Sequence, residues 1–444
     1  MSVGTLVRAA HLLTSDEAGD ITNGAVRLVG GLVDAVGAWD DMRAAYPEDM
    51  VTGGAHDVVT PGFVNTHGHF SEALVTGIAK VHTLWEWIYA LIEPVAPHLD
   101  DETAYVGTLL AGIQMLKSGI TLANDMFVCD PQEGRPTTPG VVRALDELGL
   151  RGMVSYGAGD VRGATMAAIV SEHEALSAAA ASSRLSRFRV GIAAIGAQSD
   201  ELYKTSVRWA NEANQGSHIH LQEVREEVTA IRGRHGVTPI AHAARTGLFE
   251  APTIAAHCVW VDRDDRQTLA NHGVGVAHNP VSNMILASGV CPVNELRQLG
   301  VAVGIGVDGP ASNDRQDMLE AVKTAVLLQR VDKLQATALT AREAMDMATI
   351  GGASALGMDG ELGSLTPGKA ADLVVFNGDD AALANVHDPY EAVVFAAGPG
   401  QVKDVWVAGR RSVVDGRVVT VDEAEVAGRS RPLSRSLVTR AGLL

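Results

Sequence analysis

The chain has 444 residues, of which 46% are hydrophobic and only 4% aromatic, and its formal net charge is −18 at pH 7. This length suits one large barrel with an appended domain, or two to three domains, with a core made mainly of aliphatic side chains. The negative charge disfavours a nucleic-acid-binding protein, because phosphate binding needs a basic surface.

Cysteine usage and the N-terminal residues favour a cytoplasmic protein. Cys129, Cys258 and Cys291 are odd in number and far apart, so no disulfide framework or zinc-finger pattern is expected. The first residues lack the charged and apolar regions of a secretory signal. No uninterrupted apolar run reaches about 18 residues, so no membrane span is predicted.

Both ends of the chain favour β structure. Gly30-Gly31 lies between two short β-prone runs, which predicts a hairpin, and Asp415-Gly416 predicts another near the C-terminus. Two β-rich ends around a long middle indicate one small β-sandwich domain made from both termini. The predicted bounds are 1–59 and 366–425 for the β-sandwich domain, 60–365 for the central domain, and 426–444 for a C-terminal tail.

The middle of the chain alternates between strand-like and helix-like segments. Residues 121–124 and 152–156 are typical of buried strands, and residues 102–118 predict a helix that Gly119 terminates. Such alternation over about 300 residues predicts a parallel sheet, most economically a (β/α)8 barrel. The expected fold class is therefore α/β, a TIM-like barrel with a small β-sandwich domain.

Four of the predicted strands end in residues that bind metals or move protons. His67 and His69 lie two apart on the first of these strands, where side chains i and i+2 share a face. The carboxyl ends of the strands converge in a barrel of this kind. Three histidines and one aspartate would complete a four-ligand metal site that leaves a position for water. The polar residues at the four strand ends are, in chain order, His67 and His69, His218 and His220 with Glu223 beyond them, His257, and Asp308.

Each of these residues taken alone has a second interpretation. His218 and His257 suit hydrogen-bonded histidines of the core, and Glu223 and Asp308 suit helix N-caps. Their joint placement at the ends of four strands favours the metal site, with Glu223 and His257 as acid–base groups that do not bind the ion.

Five motifs in this order resemble the amidohydrolase superfamily. They are PGFVNTHGH at 61–69, HIHLQE at 218–223, AAHCV at 255–259, HNPVSNMILASG at 278–289 and GVDGPASND at 306–314. The most similar branch is the cytosine-deaminase-like group, which includes S-adenosylhomocysteine/methylthioadenosine deaminases, triazine hydrolases, and guanine or pterin deaminases. The resemblance covers nearly the whole chain.

The resemblance implies one divalent metal ion, zinc by preference and iron as the alternative. Binuclear members use a bridging lysine late in the fourth strand, and residues 189–198 contain no lysine, so a mononuclear site is expected. The implied metal ligands are His67, His69, His220 and Asp308, and the implied catalytic residues are Glu223, His257 and Asp308.

The activity that the resemblance implies is hydrolytic deamination of an aminated N-heterocycle such as a purine, nucleoside or pterin. Metal-activated water attacks the ring carbon, Glu223 protonates the ring nitrogen, His257 and Asp308 handle the water's proton, and ammonia leaves. The alternatives are an s-triazine hydrolase that releases chloride or an alkylamine, and a non-catalytic barrel scaffold, which the complete residue set disfavours. The expected partner is a small heterocycle, with no nucleic acid or membrane, and a homodimer or higher homo-oligomer is expected by analogy.

Four residues are candidates for substrate binding. Trp85 and Glu86 resemble a region of the adenosyl deaminases in which an acidic residue holds ribose hydroxyls. The alternative is a packing tryptophan and a solvated carboxylate. Gln198 and Tyr156 stand where those deaminases carry a purine-contacting histidine and a nucleoside-contacting arginine. These departures leave the identity of the heterocycle open.

Overall fold

The computed structural model describes residues 3–443, apart from the side chain of Ala213. Residues 1, 2 and 444, which the predicted domain bounds include, lie outside the described residues. The strands, numbered in chain order, are β1 (Thr5–Leu12), β2 (Ile21–Val29), β3 (Leu32–Ala38), β4 (Met50–Gly53), β5 (Val58–Pro61), β6 (Phe63–Gly68), β7 (Ile120–Phe127), β8 (Arg151–Ala158), β9 (Ser186–Phe188), β10 (Val190–Ile192), β11 (Ser217–Leu221), β12 (Thr253–His257), β13 (Gly275–His278), β14 (Val303–Ile305), β15 (Leu373–Phe376), β16 (Val402–Val407), β17 (Arg410–Val414) and β18 (Arg417–Val418).

Helices separate most of the strands and cover the outside of the barrel. None of them, within residues 3–443, is long and apolar enough to cross a bilayer. They are α1 (Trp39–Ala45), α2 (Leu84–Trp87), α3 (Glu93–Val95), α4 (Asp101–Lys117), α5 (Pro139–Leu148), α6 (Met166–Ser182), α7 (Asp200–Asn211), α8 (Arg225–His235), α9 (Pro239–Arg245), α10 (Arg263–Asn271), α11 (Pro280–Ile285), α12 (Val293–Gln298), α13 (Pro310–Asn313), α14 (Met318–Lys333), α15 (Ala341–Ala348), α16 (Ile350–Ala355), α17 (Pro389–Glu391) and α18 (Glu423–Arg440).

Strands β6 to β14 form the parallel barrel. Within residues 3–443 its eight positions follow the order of the chain, and β9 and β10 together occupy the fourth. The last strand returns to the first, because the backbone N–H of Asp308 donates to the carbonyl of His67 at 3.0 Å. This closure confirms the predicted (β/α)8 barrel. It also places His67 and Asp308 on one seam.

Local sequence signals account for the ends of the helices that surround the barrel. The Asp100 carboxylate accepts a hydrogen bond from the backbone N–H of Thr103 at 2.9 Å, which caps the start of α4. Gly119 follows this helix with φ +89°, and Gly149 ends α5 with φ +64°. Both angles are ones that glycine adopts without the steric cost of a Cβ atom.

The second sheet is built from both ends of the chain, as predicted. Its order is β18-β17-β16-β15-β5-β1-β2-β3, with β4 beside β1, and most of its pairs are antiparallel. β2 and β3 form the predicted hairpin around Gly30-Gly31, and β17 and β18 form the one around Asp415-Gly416. β5 leads directly into barrel strand β6, so this sheet adjoins the first strand of the barrel.

The C-terminal residues, predicted as a tail, contain most of helix α18. This helix lies against α4, where Lys117 Nζ and Glu423 Oε2 are 2.9 Å apart. Ser434 Oγ also donates to the carbonyl of Leu74 at 2.6 Å. The helix therefore supports the segment that follows the first barrel strand.

An ion pair joins the barrel to the second sheet. Arg151, at the start of β8, donates to both carboxylate oxygens of Asp372 at 2.7 and 3.2 Å, just before β15. The Asp372 side chain is only 3% exposed and that of Arg151 17%. The pair is thus shielded from solvent where the barrel meets the second sheet.

Replacing Arg151 by alanine should leave the Asp372 carboxylate buried without its cation. Breaking a buried pair in this way costs about 3 kcal/mol of folding free energy, which a thermal or urea unfolding curve can measure. Arg187→Ala is the matched control, because its pair with Glu361 is about half exposed and should contribute under about 1 kcal/mol. Equal losses in the two variants would contradict a special role for the buried pair.

Candidate active site

The four predicted metal ligands, three histidines and one aspartate, meet at the carboxyl ends of the barrel strands together with His257. The nearest ligand atoms of His67, His69 and His220 lie within 4.8 Å of one another, and the same holds for His67, His257 and Asp308. Four of these side chains are buried and His220 is partly buried. The barrel thus brings together residues from β6, β11, β12 and the loop after β14.

The rings of His69 and His220 face each other through their Nε2 atoms, which are 3.2 Å apart. The Nδ1 atom of His69 lies 2.6 Å from the carbonyl of Met126, and that of His220 lies 2.6 Å from the carbonyl of Ala193. A carbonyl only accepts, so each neutral ring carries its proton on Nδ1 and a lone pair on Nε2. Two facing lone pairs fit a cation between them.

His67 and Asp308 complete the same group. His67 Nε2 has no hydrogen-bond partner among the described residues and lies 3.3 Å from Asp308 Oδ1. The same oxygen is 3.5 Å from His69 Nε2. Three imidazole nitrogens and one carboxylate oxygen are donors that zinc prefers. The residues present therefore fit a divalent metal ion.

The protonation states also suit metal binding. Burial lowers the pKa of His69 to about 4, with a further contribution from the charge of His67. Burial opposes ionisation of Asp308, yet His67, His257 and His69 together hold the pKa of this carboxyl well below its usual range. At neutral pH the site therefore offers neutral imidazoles and an ionised carboxylate.

His257 is oriented by two amide side chains that follow β13, Asn279 and, in helix α11, Asn283. Its Nδ1 accepts hydrogen bonds from Nδ2 of Asn283 at 2.9 Å and from Nδ2 of Asn279 at 3.2 Å. Burial lowers its pKa to about 4, so the ring is neutral at pH 7. The neutral ring then carries its proton on Nε2, which lies 3.4 Å from Glu223 Oε2 and 3.9 Å from Asp308 Oδ2.

Glu223 is a buried carboxyl with a pKa raised to about 8, by burial first and by the nearby Asp308 second. Ser288 Oγ donates to its Oε1 at 2.8 Å. The Ser288 carbonyl accepts from Trp260 Nε1 at 2.8 Å, which anchors the loop that carries this serine. Glu223 is therefore held in place and protonated at neutral pH, so it can act as a proton donor.

Several site residues adopt left-handed backbone conformations. His257 has φ +73°, Asp308 has φ +59°, and Gln222, next to Glu223, has φ +56°. Such angles cost a non-glycine residue on the order of 1–2 kcal/mol. His257 and Asp308 adopt these angles at or just beyond the ends of their strands, where their side chains enter the site.

The structure adds a supporting residue that the sequence analysis missed. Glu72, three positions after His69, is buried, and its Oε2 accepts from the backbone N–H of Ala311 at 3.0 Å. A Cβ atom at Gly309 would collide with this carboxylate. Glu72 therefore holds the start of helix α13, two residues after Asp308. The position of Glu72, three residues after His69, is the feature of the sequence that could have drawn attention to this carboxylate.

The four residues predicted to bind substrate differ from one another in burial and in their hydrogen-bond partners. Glu86 Oε2 accepts from the backbone N–H and the hydroxyl of Thr83, both at 2.9 Å, and so caps helix α2. Trp85, beside it, is half-buried. Tyr156 is buried in the core, where its hydroxyl donates to the carbonyl of Cys129 at 3.4 Å.

Gln198 is also buried, and its Nε2 donates to the carbonyl of Ala158 at 3.0 Å. Its Oε1 has no hydrogen-bond partner among residues 3–443. The roles of these four residues in substrate binding stay predictions.

Comparison with known proteins identifies similar sequences and folds. The chain matches the Amidohydrolase family over residues 58–412. It is 37% identical over 436 residues to 5-methylthioadenosine/S-adenosylhomocysteine deaminase of Desulforudis audaxviator, covering 98% of this chain and 99% of that protein. It is 37% identical over 381 residues to 5'-deoxyadenosine deaminase of Methanothermobacter thermautotrophicus, covering 85% and 87%. An adenosine deaminase from Xanthomonas campestris with bound zinc superposes with a TM-score of 0.91 at 27% identity, covering 98% and 99%.

A second buried carboxyl lies directly behind Glu223. Glu227 Oε2 accepts from the backbone N–H of Glu223 at 3.2 Å, and burial raises the pKa of Glu227 from 4.5 to about 8. The unfolded chain ionises this group near pH 4.5, whereas the folded protein keeps it protonated. Folding therefore takes up a proton between these values, and the stability contributed by this group falls as the pH rises through them.

Replacing Glu227 by glutamine should remove this dependence. Glu227→Gln should become progressively more stable relative to the unmodified protein as the pH rises from about 5 to 8.5. Thermal unfolding midpoints at several pH values measure the difference. Glu226→Gln, at the exposed neighbouring position, should show a constant difference. A constant difference for Glu227→Gln as well would rule out the raised pKa.

Proposed function

The chain belongs to the amidohydrolase family, and on this premise we propose that it is a metal-dependent hydrolytic deaminase of an adenine-type nucleoside. The observation that carries the proposal is the pair of facing Nε2 atoms of His69 and His220, with the Asp308 carboxylate beside them. A protonated Glu223 completes a set suited to hydrolysis of a ring C–N bond. The reaction replaces the exocyclic amino group by oxygen and releases ammonia.

The proposed metal is a single zinc ion. Its ligands are His67, His69, His220 and Asp308, which form a nitrogen-rich set with one carboxylate. The zinc in the similar adenosine deaminase from Xanthomonas campestris supports this choice, and the absence of lysine from residues 189–198 supports a single ion. When bound, the ion supplies a water molecule whose pKa lies near neutrality.

The side chains around this position divide the proton transfers between them. Glu223, protonated at neutral pH, donates to the ring nitrogen next to the reacting carbon, which makes that carbon more electrophilic. Asp308, ionised at neutral pH, accepts one proton of the attacking water and passes it to the departing amine. The proton left on the new hydroxyl group returns to Glu223 as the ring carbonyl forms. The sequence predicted that His257 takes a proton from the attacking water. Because its Nδ1 accepts from Asn283, we propose instead that its Nε2–H donates a hydrogen bond to the reacting oxygen.

The nucleoside is the preferred substrate class because both deaminases named above act, by their names, on adenine nucleosides with altered 5' positions. Trp85, Glu86, Tyr156 and Gln198 remain the proposed substrate-binding residues. Gln198 has the most direct support, since its unpartnered Oε1 can accept a hydrogen bond from a substrate N–H group. We also propose a cytoplasmic location, which the three buried free cysteines support, and a homo-oligomer by analogy alone.

Glu223→Gln tests the proton donor. The variant should keep its zinc, because Glu223 does not bind the ion, and should lose about 10²-fold or more of kcat. Ammonia release measures turnover, and elemental analysis measures zinc. Glu226→Gln is the control and should leave both unchanged. Near-normal turnover by Glu223→Gln would contradict the assigned role.

A substrate panel tests the reaction class. Zinc-loaded protein should release ammonia from at least one of 5-methylthioadenosine, S-adenosylhomocysteine, 5'-deoxyadenosine and adenosine, and much less from guanine, pterin or cytosine. Removal of zinc with a chelator should abolish the activity, and added zinc should restore it. Chloride release from atrazine, with no ammonia from any nucleoside, would instead favour the s-triazine hydrolase. A protein with neither zinc nor activity would favour the scaffold.

A further inference from the structure

His218, two residues before His220 in β11, is fully buried in the barrel. Its Nε2 lies 2.8 Å from Nδ1 of His67, and its Nδ1 lies 3.2 Å from Oγ of Ser155 in β8. Ser155 Oγ lies 2.8 Å from the carbonyl of Asp125 in β7. A chain of hydrogen bonds therefore crosses the barrel and ends at a residue proposed to bind the metal.

The Asp125 carbonyl, at one end of this series of hydrogen bonds, fixes which atom donates in each of them. The Asp125 carbonyl only accepts, so the single hydroxyl proton of Ser155 points towards it. Ser155 Oγ is then the acceptor for Nδ1–H of His218. The remaining lone pair of His218, on Nε2, accepts Nδ1–H of His67.

We propose that His218 is a positioning residue which, together with Ser155, sets the tautomer and orientation of His67. With its proton held on Nδ1, His67 presents the lone pair of Nε2 towards Asp308, His69 and His220. His218 itself is not a metal ligand, because both of its ring nitrogens are engaged in the chain. The proposal rests on the metal site of the proposed function.

Backbone carbonyls of adjacent residues thus orient two of the proposed ligands. The Met126 carbonyl holds the ring of His69 directly, at 2.6 Å. The Asp125 carbonyl holds His67 through Ser155 and His218. Loss of either intermediate side chain leaves a buried N–H without its acceptor and permits the tautomer of His67 that turns a proton towards the metal position.

Three variants separate this role from simple packing. His218→Leu fills the space but cannot accept from His67, and Ser155→Ala removes the acceptor for Nδ1–H of His218. Both should weaken zinc binding by about 10–100-fold, the usual effect of losing a residue that orients a ligand. In His218→Gln, the amide oxygen can accept from His67 and the amide nitrogen can donate to Ser155, so this variant should recover most of the affinity.

Zinc dissociation constants from competition with a chelator provide the first measurement. The visible absorption spectrum of the cobalt(II)-substituted protein provides the second, since it reports the donor atoms directly. His218→Leu and Ser155→Ala should both alter the spectrum, whereas His218→Gln should retain it. Ser206→Ala, which removes a buried hydroxyl that has no partner among residues 3–443, is the matched control and should change neither measurement.

The possible outcomes are distinct. Unchanged zinc affinity and cobalt spectrum in folded His218→Leu and Ser155→Ala would overturn the proposal, as would a His218→Gln variant as weak as His218→Leu. If His218→Leu does not fold, Ser155→Ala and His218→Gln decide. An unmodified protein that binds no zinc contradicts this proposal and the proposed function together. A zinc-loaded protein that deaminates nothing contradicts the proposed function alone.

Discussion

The contact between Nε2 of His69 and Nε2 of His220, 3.2 Å apart, is the constraint on which the site depends. Each ring is held by a backbone carbonyl, that of Met126 for His69 and that of Ala193 for His220, so neither ring can turn its lone pair away without losing this hydrogen bond. Two acceptors at this distance repel unless positive charge lies between them. The barrel therefore fixes the two rings in an orientation that only a cation stabilises. Affinity for a metal ion then depends on the backbone carbonyls as much as on the ligands.

Closure of the barrel places the fourth proposed ligand. Asp308 follows the last strand, and its backbone N–H bonds to the first strand at His67. The side chain of Asn65 reinforces this seam, because its Oδ1 accepts from the backbone N–H of Val307 at 2.9 Å across 242 positions of sequence. Glu72 holds the start of helix α13 in the same way. The cost of the left-handed backbone at Asp308 is thus offset by contacts that exist only in the closed barrel.

The barrel was predictable because strand-like and helix-like segments alternate along the chain. The cluster of His and Asp side chains was predictable because these residues follow the ends of the predicted strands. The residues that bind the substrate are harder to predict from the sequence. Thr83 and Glu86 have the spacing of a capping box, a local signal that competes with a role in the pocket. Tyr156 follows Ser155, which faces the barrel interior, so strand alternation turns it towards the outer core. The chain through Ser155 and His218 depends on distances between strands that are remote in sequence, and no local pattern reports these.

The two carboxyl groups of the site, those of Glu223 and Asp308, are in opposite protonation states at neutral pH. Burial favours the neutral form of both Glu223 and Asp308. Asp308 faces three imidazoles, which lower its pKa when they are protonated, whereas Glu223 faces a serine hydroxyl, a single imidazole and the charge of Asp308 itself. Their pKa values therefore separate in opposite directions, one above neutrality and one well below it. The ionised Asp308 helps to keep Glu223 protonated, so the proposed proton donor and the proposed proton acceptor depend on one electrostatic arrangement rather than on two independent sites.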